Sequence, residues 1–231
     1  MYHATIEHIK DTADKVRILR LKTAEKFTFK AGQYLTLHIE GYEPRSYSIA
    51  SAPSQGVVEI HVKKSNDHGL SAYLHDAQNI GQSVSFSGPF GEMILSTAHE
   101  PIVAVALGVG ITPFNAIITE TLAQGNPNPI TLYLGVHHAD DFYLHDYFNS
   151  LGAKHPHFTL HLFHQNASDQ SPYAIDSLQK KLIADCPEFQ KNRARFYFCG
   201  AKDPITALAT TVHAQGISKD KILSDIPLTF K

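Results

Sequence analysis

The spacing of apolar residues changes character once along this chain, close to residue 97, and one sheet or one bundle cannot accommodate both patterns. Up to that point short runs alternate apolar with polar side chains, as in Tyr34-Leu35-Thr36-Leu37-His38-Ile39-Glu40 and Val58-Glu59-Ile60-His61-Val62. A period of two puts Leu35, Leu37 and Ile39 on one face and Thr36, His38 and Glu40 on the other, as half-buried antiparallel strands require. Six such runs, near residues 3–9, 16–22, 34–40, 45–50, 57–63 and 83–87, predict a small barrel interrupted by one helical segment from Leu70 to Asp76. After Pro101 the strands become continuously apolar and alternate with helical lengths, which predicts a parallel sheet covered on both faces. The expected order is strand 102–107, helix 113–124, strand 130–136, helix 144–153, strand 158–163, helix 174–184, strand 195–199, helix 204–215 and a closing strand 222–226. Two domains follow, residues 1–97 and 98–231.

Composition narrows the chemistry. With 43% hydrophobic residues, 13 phenylalanines and 10 tyrosines in 231 residues, material for two cores is present. A formal charge of −2 argues against a nucleic-acid partner. No run approaches the ~20 apolar residues of a membrane span, and the first fifteen residues lack a signal-peptide core, so a cytoplasmic location is expected. Cys186 and Cys199 are the only cysteines, which excludes a disulfide framework and a four-cysteine iron–sulfur or zinc site within this chain. Electron chemistry here needs an organic cofactor.

The second domain opens on Val103-Ala104-Val105-Ala106-Leu107-Gly108-Val109-Gly110-Ile111-Thr112-Pro113, a strand, a glycine turn and a helix start. Gly108 and Gly110 allow close backbone approach, Thr112 suits a cap and Pro113 the first helical position. Unpaired amides at such a helix end suit an anion such as pyrophosphate. The turn is not a full G-x-G-x-x-G fingerprint, since Pro113 stands where the third glycine would, and a tight turn without ligand fits the motif alone equally well. Cys199-Gly200 ends a later parallel strand, so these residues are expected at the same carboxyl edge as Gly108 and Gly110. Cys199 also reads as a small buried hydrophobe.

In the first domain, Arg45-Ser46-Tyr47-Ser48 combines a phosphate-matching fork, an aromatic plane and hydroxyls on one strand. The alternative is an ordinary surface strand with a solvated arginine. Gly69-Leu70-Ser71 starts the helix of this half, and Gly88-Pro89-Phe90-Gly91 reads as a glycine-rich bend at its end.

These five segments, in this order and across nearly the whole chain, resemble the ferredoxin–NADP reductase superfamily. The resemblance implies an antiparallel Greek-key β-barrel that binds flavin, followed by a Rossmann-like parallel-sheet domain that binds NAD(P)H. It places Arg45 on a flavin phosphate, Tyr47 on the isoalloxazine, Ser48 near flavin N5, and Gly69, Leu70 and Ser71 on the pyrophosphate of FAD. It lines the nicotinamide nucleotide's path with Gly108, Gly110, Thr112 and Pro113, and sets Cys199 and Gly200 near the nicotinamide. Ser48 and Cys199 are then the catalytic candidates. The implied reaction is hydride transfer from NAD(P)H to bound FAD, with electrons passed to a separate ferredoxin, flavodoxin or oxygenase component. Reduction of free flavin or a ferric chelate is the alternative within enzymes, and a noncatalytic nucleotide- or metal-binding module the alternative outside them.

Two departures from the family pattern stand out. The tail Leu223-Ser224-Asp225-Ile226-Pro227-Leu228-Thr229-Phe230-Lys231 does not align an acidic or aromatic residue with the family's usual place over the flavin. The loops after Val136 and His164 hold no arginine for a 2′-phosphate, which tilts the expectation to NADH. No metal site is expected from the 15 histidines: along a strand His157 and His161 stand roughly 13 Å apart, too far to share an ion. The sequon Asn166-Ala167-Ser168 is read as accidental.

Overall fold

A computed structural model describes residues 1–12, 16–65, 68–165 and 175–230, so the sequon lies outside the described residues. The N-terminal half forms six strands: β1 (Tyr2–Asp11), β2 (Val16–Thr23), β3 (Tyr34–His38), β4 (Arg45–Ser48), β5 (Val58–Lys63) and β6 (Ser83–Phe90). They pair antiparallel in the order β4-β3-β6-β1-β2-β5. The sheet curls until its two outer strands meet at one bridge, Ile49 to Ile60, beside which the Ala50 amide donates to the Glu59 carbonyl at 2.7 Å. The alternation sets the inner face: Leu35 and Leu37 of β3 join Leu19, Ile49, Ile60 and Phe86 in a core from which solvent is excluded. A bulge at Glu7 shifts the β1–β2 register between Ile6 and His8.

The second half carries β7 (Ile102–Leu107), β8 (Ile130–Val136), β9 (Phe158–His164), β10 (Arg195–Cys199) and β11 (Ile222–Ser224), all parallel, in the order β11-β10-β7-β8-β9. Its helices are α2 (Thr112–Ala123), α3 (His145–Lys154), α4 (Ile175–Lys191) and α5 (Lys202–Ala214), after α1 (Leu70–Leu74) in the first half. All seven residues of β8 are buried, which is why this strand reads as an unbroken apolar run.

Contacts divide the chain into two compact units, one of residues 1–95 with 112–124, the other of 96–111 with 125–231. Helix α2 therefore groups with the barrel, to which it is tied by Asn115 Nδ2 donating to the Ala50 carbonyl at 3.0 Å and by Glu120 accepting from the Ser54 amide at 3.0 Å.

Three local expectations are corrected. The segment Gly88-Pro89-Phe90 is not a free bend but the end of β6, paired with β3 as far as Tyr34 opposite Phe90. Helix α4 does not stop at Ala184; it continues through Pro187 to Lys191. A proline inside a helix costs about 3 kcal/mol, but Leu178, Leu182, Cys186 and Phe189 keep one face packed on the sheet while Pro187 itself is exposed. Finally, Thr112 is the first helical residue rather than a cap, because residues 108–111 already wind as a 3-10 turn leading into α2. Among the described residues no helix is long and apolar enough to cross a membrane.

Candidate functional site

In the barrel unit the candidate side chains gather on β4. This strand pairs with β3 on one side, Leu37 with Arg45, Thr36 with Ser46, Leu35 with Tyr47 and Tyr34 with Ser48. It is an outer strand of the sheet, and the bridge to β5 begins only at Ile49, so from Arg45 to Ser48 its other edge is outside any described ladder. Such an edge offers backbone donors and acceptors to an extended ligand.

Each side chain on that strand has a distinct state. Arg45 is exposed and makes no ion pair among the described residues. Tyr47 shares the inward face with Leu35 and packs against the barrel core; its hydroxyl is buried with no hydrogen-bond partner. Burial pushes that phenol up to about 12 even though the Arg45 charge pulls it down. The hydroxyl of Ser46 is bonded to Thr36 Oγ1 at 2.9 Å. That of Ser48, half-buried, has no hydrogen-bond partner among the described residues. Of the two serines, Ser48 is the one available to a ligand. An unpaired cation, a partnerless hydroxyl and an open strand edge fit a flavin with its phosphates.

The turn before α1 contributes backbone rather than side chains. Gly69 holds φ +80° with open space where a Cβ would be, so conformation, not crowding, calls for glycine there. Leu70 and Ser71 are buried, and Ser71 Oγ bonds to Ser65 Oγ at 2.9 Å, tying the helix start to the end of β5.

In the second unit the carboxyl ends of β7 and β10 meet. These strands are neighbours, with Cys199 opposite Ala106. A Cβ on Gly110 would lie 2.2 Å from the Cys199 carbonyl oxygen, and one on Gly200 2.8 Å from the Leu107 Cβ. Gly108, Gly110, Cys199 and Gly200 are thus brought together at one sheet edge. Thr112 and Pro113 are buried in the first turn of α2.

The structure adds a residue that the sequence reading did not assign. Cys199 Sγ donates to Asp225 Oδ2 at 3.0 Å. Burial, then the Asp225 charge and this hydrogen bond, raise the thiol well above its ordinary value. Burial also raises the Asp225 carboxyl, against the pull of the Cys199 contact. The signal lay in the register: β11 runs parallel to β10 with Ser224 opposite Phe198, which brings the next residue level with Cys199. Phe230 is engaged elsewhere, packed edge-on against His213 at 5.0 Å with Lys219 Nζ 5.2 Å from its ring centre.

Beyond β8 the edge is acidic. His137 Nδ1 hydrogen-bonds Gln165 Oε1, and the Gln165 amide donates to the carbonyls of Val136 and His137 at 3.1 Å each, fastening the exits of β8 and β9 together. Asp141 Oδ2 accepts from the His138 amide at 3.0 Å. Residues 137–153 contain Asp140, Asp141 and Asp146 and neither lysine nor arginine.

A barrel with an open, arginine-bearing edge strand and a parallel sheet with a glycine turn at its carboxyl edge define a two-module redox protein, one module for flavin and one for nucleotide. Comparison with known proteins agrees. Residues 3–94 match the oxidoreductase FAD-binding domain family and residues 104–210 the oxidoreductase NAD-binding domain family. The chain is 30% identical over 226 residues to the ferredoxin–NAD(P)(+) reductase component of a naphthalene 1,2-dioxygenase system from Pseudomonas putida, covering 96% of this chain and 67% of that protein. It is 31% identical over 223 residues to the reductase component of the naphthalene 1,2-dioxygenase/salicylate 5-hydroxylase systems of a Ralstonia species, again covering 96% and 67%. Among solved structures, a cytochrome P450 reductase of Amycolatopsis superposes with a TM-score of 0.83 at 24% identity, over 97% of this chain and 68% of the other. The chain belongs to the ferredoxin–NAD(P) reductase family of FAD- and NAD-binding oxidoreductases, and it spans about two thirds of the length of these relatives. It is a flavin-dependent oxidoreductase that takes electrons from NAD(P)H through FAD.

Proposed function

We propose that this chain accepts hydride from NADH in preference to NADPH and delivers the two electrons to a separate redox protein, an oxygenase component or a ferredoxin. The observation that carries the donor choice is the acidic exit of β8: three aspartates and no lysine or arginine in residues 137–153 offer a 2′-phosphate dianion no guanidinium fork or ammonium in that segment and favour a free ribose hydroxyl. The acceptor class rests on the relatives, a reductase component of a dioxygenase system and an electron transfer component of toluate 1,2-dioxygenase, the latter 27% identical.

When bound, FAD supplies the capacity to take two electrons as hydride and release them singly. The protein's task is to hold and orient. Arg45 would supply the charge that retains a flavin phosphate, and the backbone of Gly69, Leu70 and Ser71 would hold the pyrophosphate. Tyr47 would back the ring system, and the hydroxyl of Ser48, which unlike that of Ser46 has no hydrogen-bond partner among the described residues, would be free to hydrogen-bond the ring. Gly108 and Gly110, with Thr112 and Pro113 at the start of α2, would flank the nucleotide, and Cys199 and Gly200 would serve its nicotinamide end. Asp225 is a positioning residue: by accepting from Sγ it sets the orientation of the Cys199 thiol and keeps it neutral.

Anaerobic mixing of the FAD-loaded protein with NADH or NADPH in a stopped-flow spectrometer tests this. Loss of the flavin's visible band is expected with both, with a higher rate per unit concentration for NADH. A higher value for NADPH would overturn the donor assignment, and a band unmoved by either would overturn the function. Reoxidation by an iron–sulfur protein but not by ferric chelates or free flavin supports the acceptor class.

A further inference from the structure

The barrel unit contains a cavity of about 480 Å³ that none of the residues assigned above lines. One wall is aromatic: Phe27 and Phe29 stack with centroids 5.7 Å apart and planes at 24°. Phe27 is fixed in turn, edge-on to Tyr2 at 4.8 Å and to Phe86 at 5.0 Å, so the wall is anchored in the core and preformed. Buried Leu21 and Val58 provide the floor, and Pro53 and Val57 the opposite side.

The rim is cationic. Arg20, Lys22 and Lys26 line the cavity against a single carboxylate, that of the bulged Glu7. Among the described residues Lys22 and Lys26 make no ion pair, and Arg20 reaches only Glu59, at 3.9 Å. Charged rims on apolar floors are common on protein surfaces. What distinguishes this one is an anchored pair of rings, a volume in the range of small-ligand sites and two lysines that make no ion pair among the described residues.

We propose that this cavity is a binding site for a small planar organic anion: an aromatic ring seated against Phe27 and Phe29, with a carboxylate directed at Lys22 and Lys26. It is independent of the flavin and nucleotide assignments, and its test reads binding, not turnover.

The probe is 2-naphthoate, with neutral 2-naphthamide as its isostere, titrated by calorimetry into the FAD-loaded protein at low salt. The expected result is a single site that prefers naphthoate to naphthamide roughly tenfold, the preference fading towards 1 M salt as screening shortens the reach of the lysines. The double variant Lys22→Gln/Lys26→Gln removes the preference but retains weak binding of both probes. Val57→Trp, which fills the cavity from its side, abolishes both. Saturating NAD⁺ leaves binding unchanged. Equal affinity for the two probes, displacement by NAD⁺, or an unaltered preference in the lysine variant, whose two positions are both exposed, would each overturn the proposal.

Discussion

Gly110 offers the most direct trial of the nucleotide-edge geometry. Replacing it with alanine introduces one methyl group, and that methyl would lie 2.2 Å from the Cys199 carbonyl oxygen, 2.6 Å from its carbon and 2.9 Å from the Gly200 nitrogen. All three are backbone atoms, so no side-chain rotation relieves the clash; β10 or the 108–111 turn has to move. Overpacking of this kind costs about 1–3 kcal/mol. Gly108 makes the internal control: its φ of +57° is left-handed, yet nothing lies within 4 Å of its Cβ position. Gly108→Ala therefore incurs only the conformational penalty of about 1–2 kcal/mol, and Gly108→Asn less, since asparagine tolerates that region. With a urea m-value of about 2 kcal/mol/M, each 2 kcal/mol lowers the midpoint by about 1 M. Urea titrations followed by circular dichroism and tyrosine fluorescence should rank the variants wild type, Gly108→Asn, Gly108→Ala, Gly110→Ala in falling stability. Gly110→Ala should in addition lose nucleotide affinity. If Gly110→Ala unfolds at the wild-type midpoint, or above Gly108→Ala, the close packing of the turn on Cys199 is refuted.

Three other expectations concern single side chains. Arg45→Ala should weaken FAD binding at least tenfold, the loss of one charge-assisted contact, in a fluorescence titration; wild-type affinity would remove Arg45 from the phosphate site. Ser48→Ala should retain flavin and slow its reduction by NADH about tenfold in single-turnover mixing, and an unchanged rate would dismiss the hydroxyl from the reaction. Asp225→Asn bears on pH. Because burial raises the folded-state value of this carboxyl, its contribution to stability is complete below the unfolded value of about 3.9 and is lost as pH rises through the folded one. The asparagine variant should then melt above wild type at pH 7, with the gap closing on acidification; a gap that widens in acid would contradict the assignment. Its Cys199 should also alkylate faster, the carboxylate charge that helps keep the thiol protonated being gone.

What could be read in advance was whatever the backbone period dictates. Strands β7, β8 and β10 occupy the residues expected for them, since a run buried on both faces leaves no ambiguity about where apolar side chains stop. Boundaries slipped where tertiary packing overrode a local signal, as when the apolar stripe through Cys186 and Phe189 carried α4 across Pro187. The state of individual hydroxyls was beyond reach: Ser46 and Ser48 look alike in sequence, and only the cross-strand partner Thr36 separates the bonded one from the unbonded one. Asp225 escaped for a similar reason. Its pairing with Cys199 depends on a parallel register between segments 26 residues apart.

The allegiance of helix α2 matters to anyone who would take this protein apart. Because residues 112–124 cluster with the barrel while the stretches on either side cluster with the parallel sheet, no single cut in the polypeptide liberates either unit whole. A fragment ending at residue 97 would leave the Ala50 carbonyl and the Ser54 amide without Asn115 and Glu120. A workable excision would graft 112–124 back onto the barrel through a short linker and bridge 111 to 125 in the remainder.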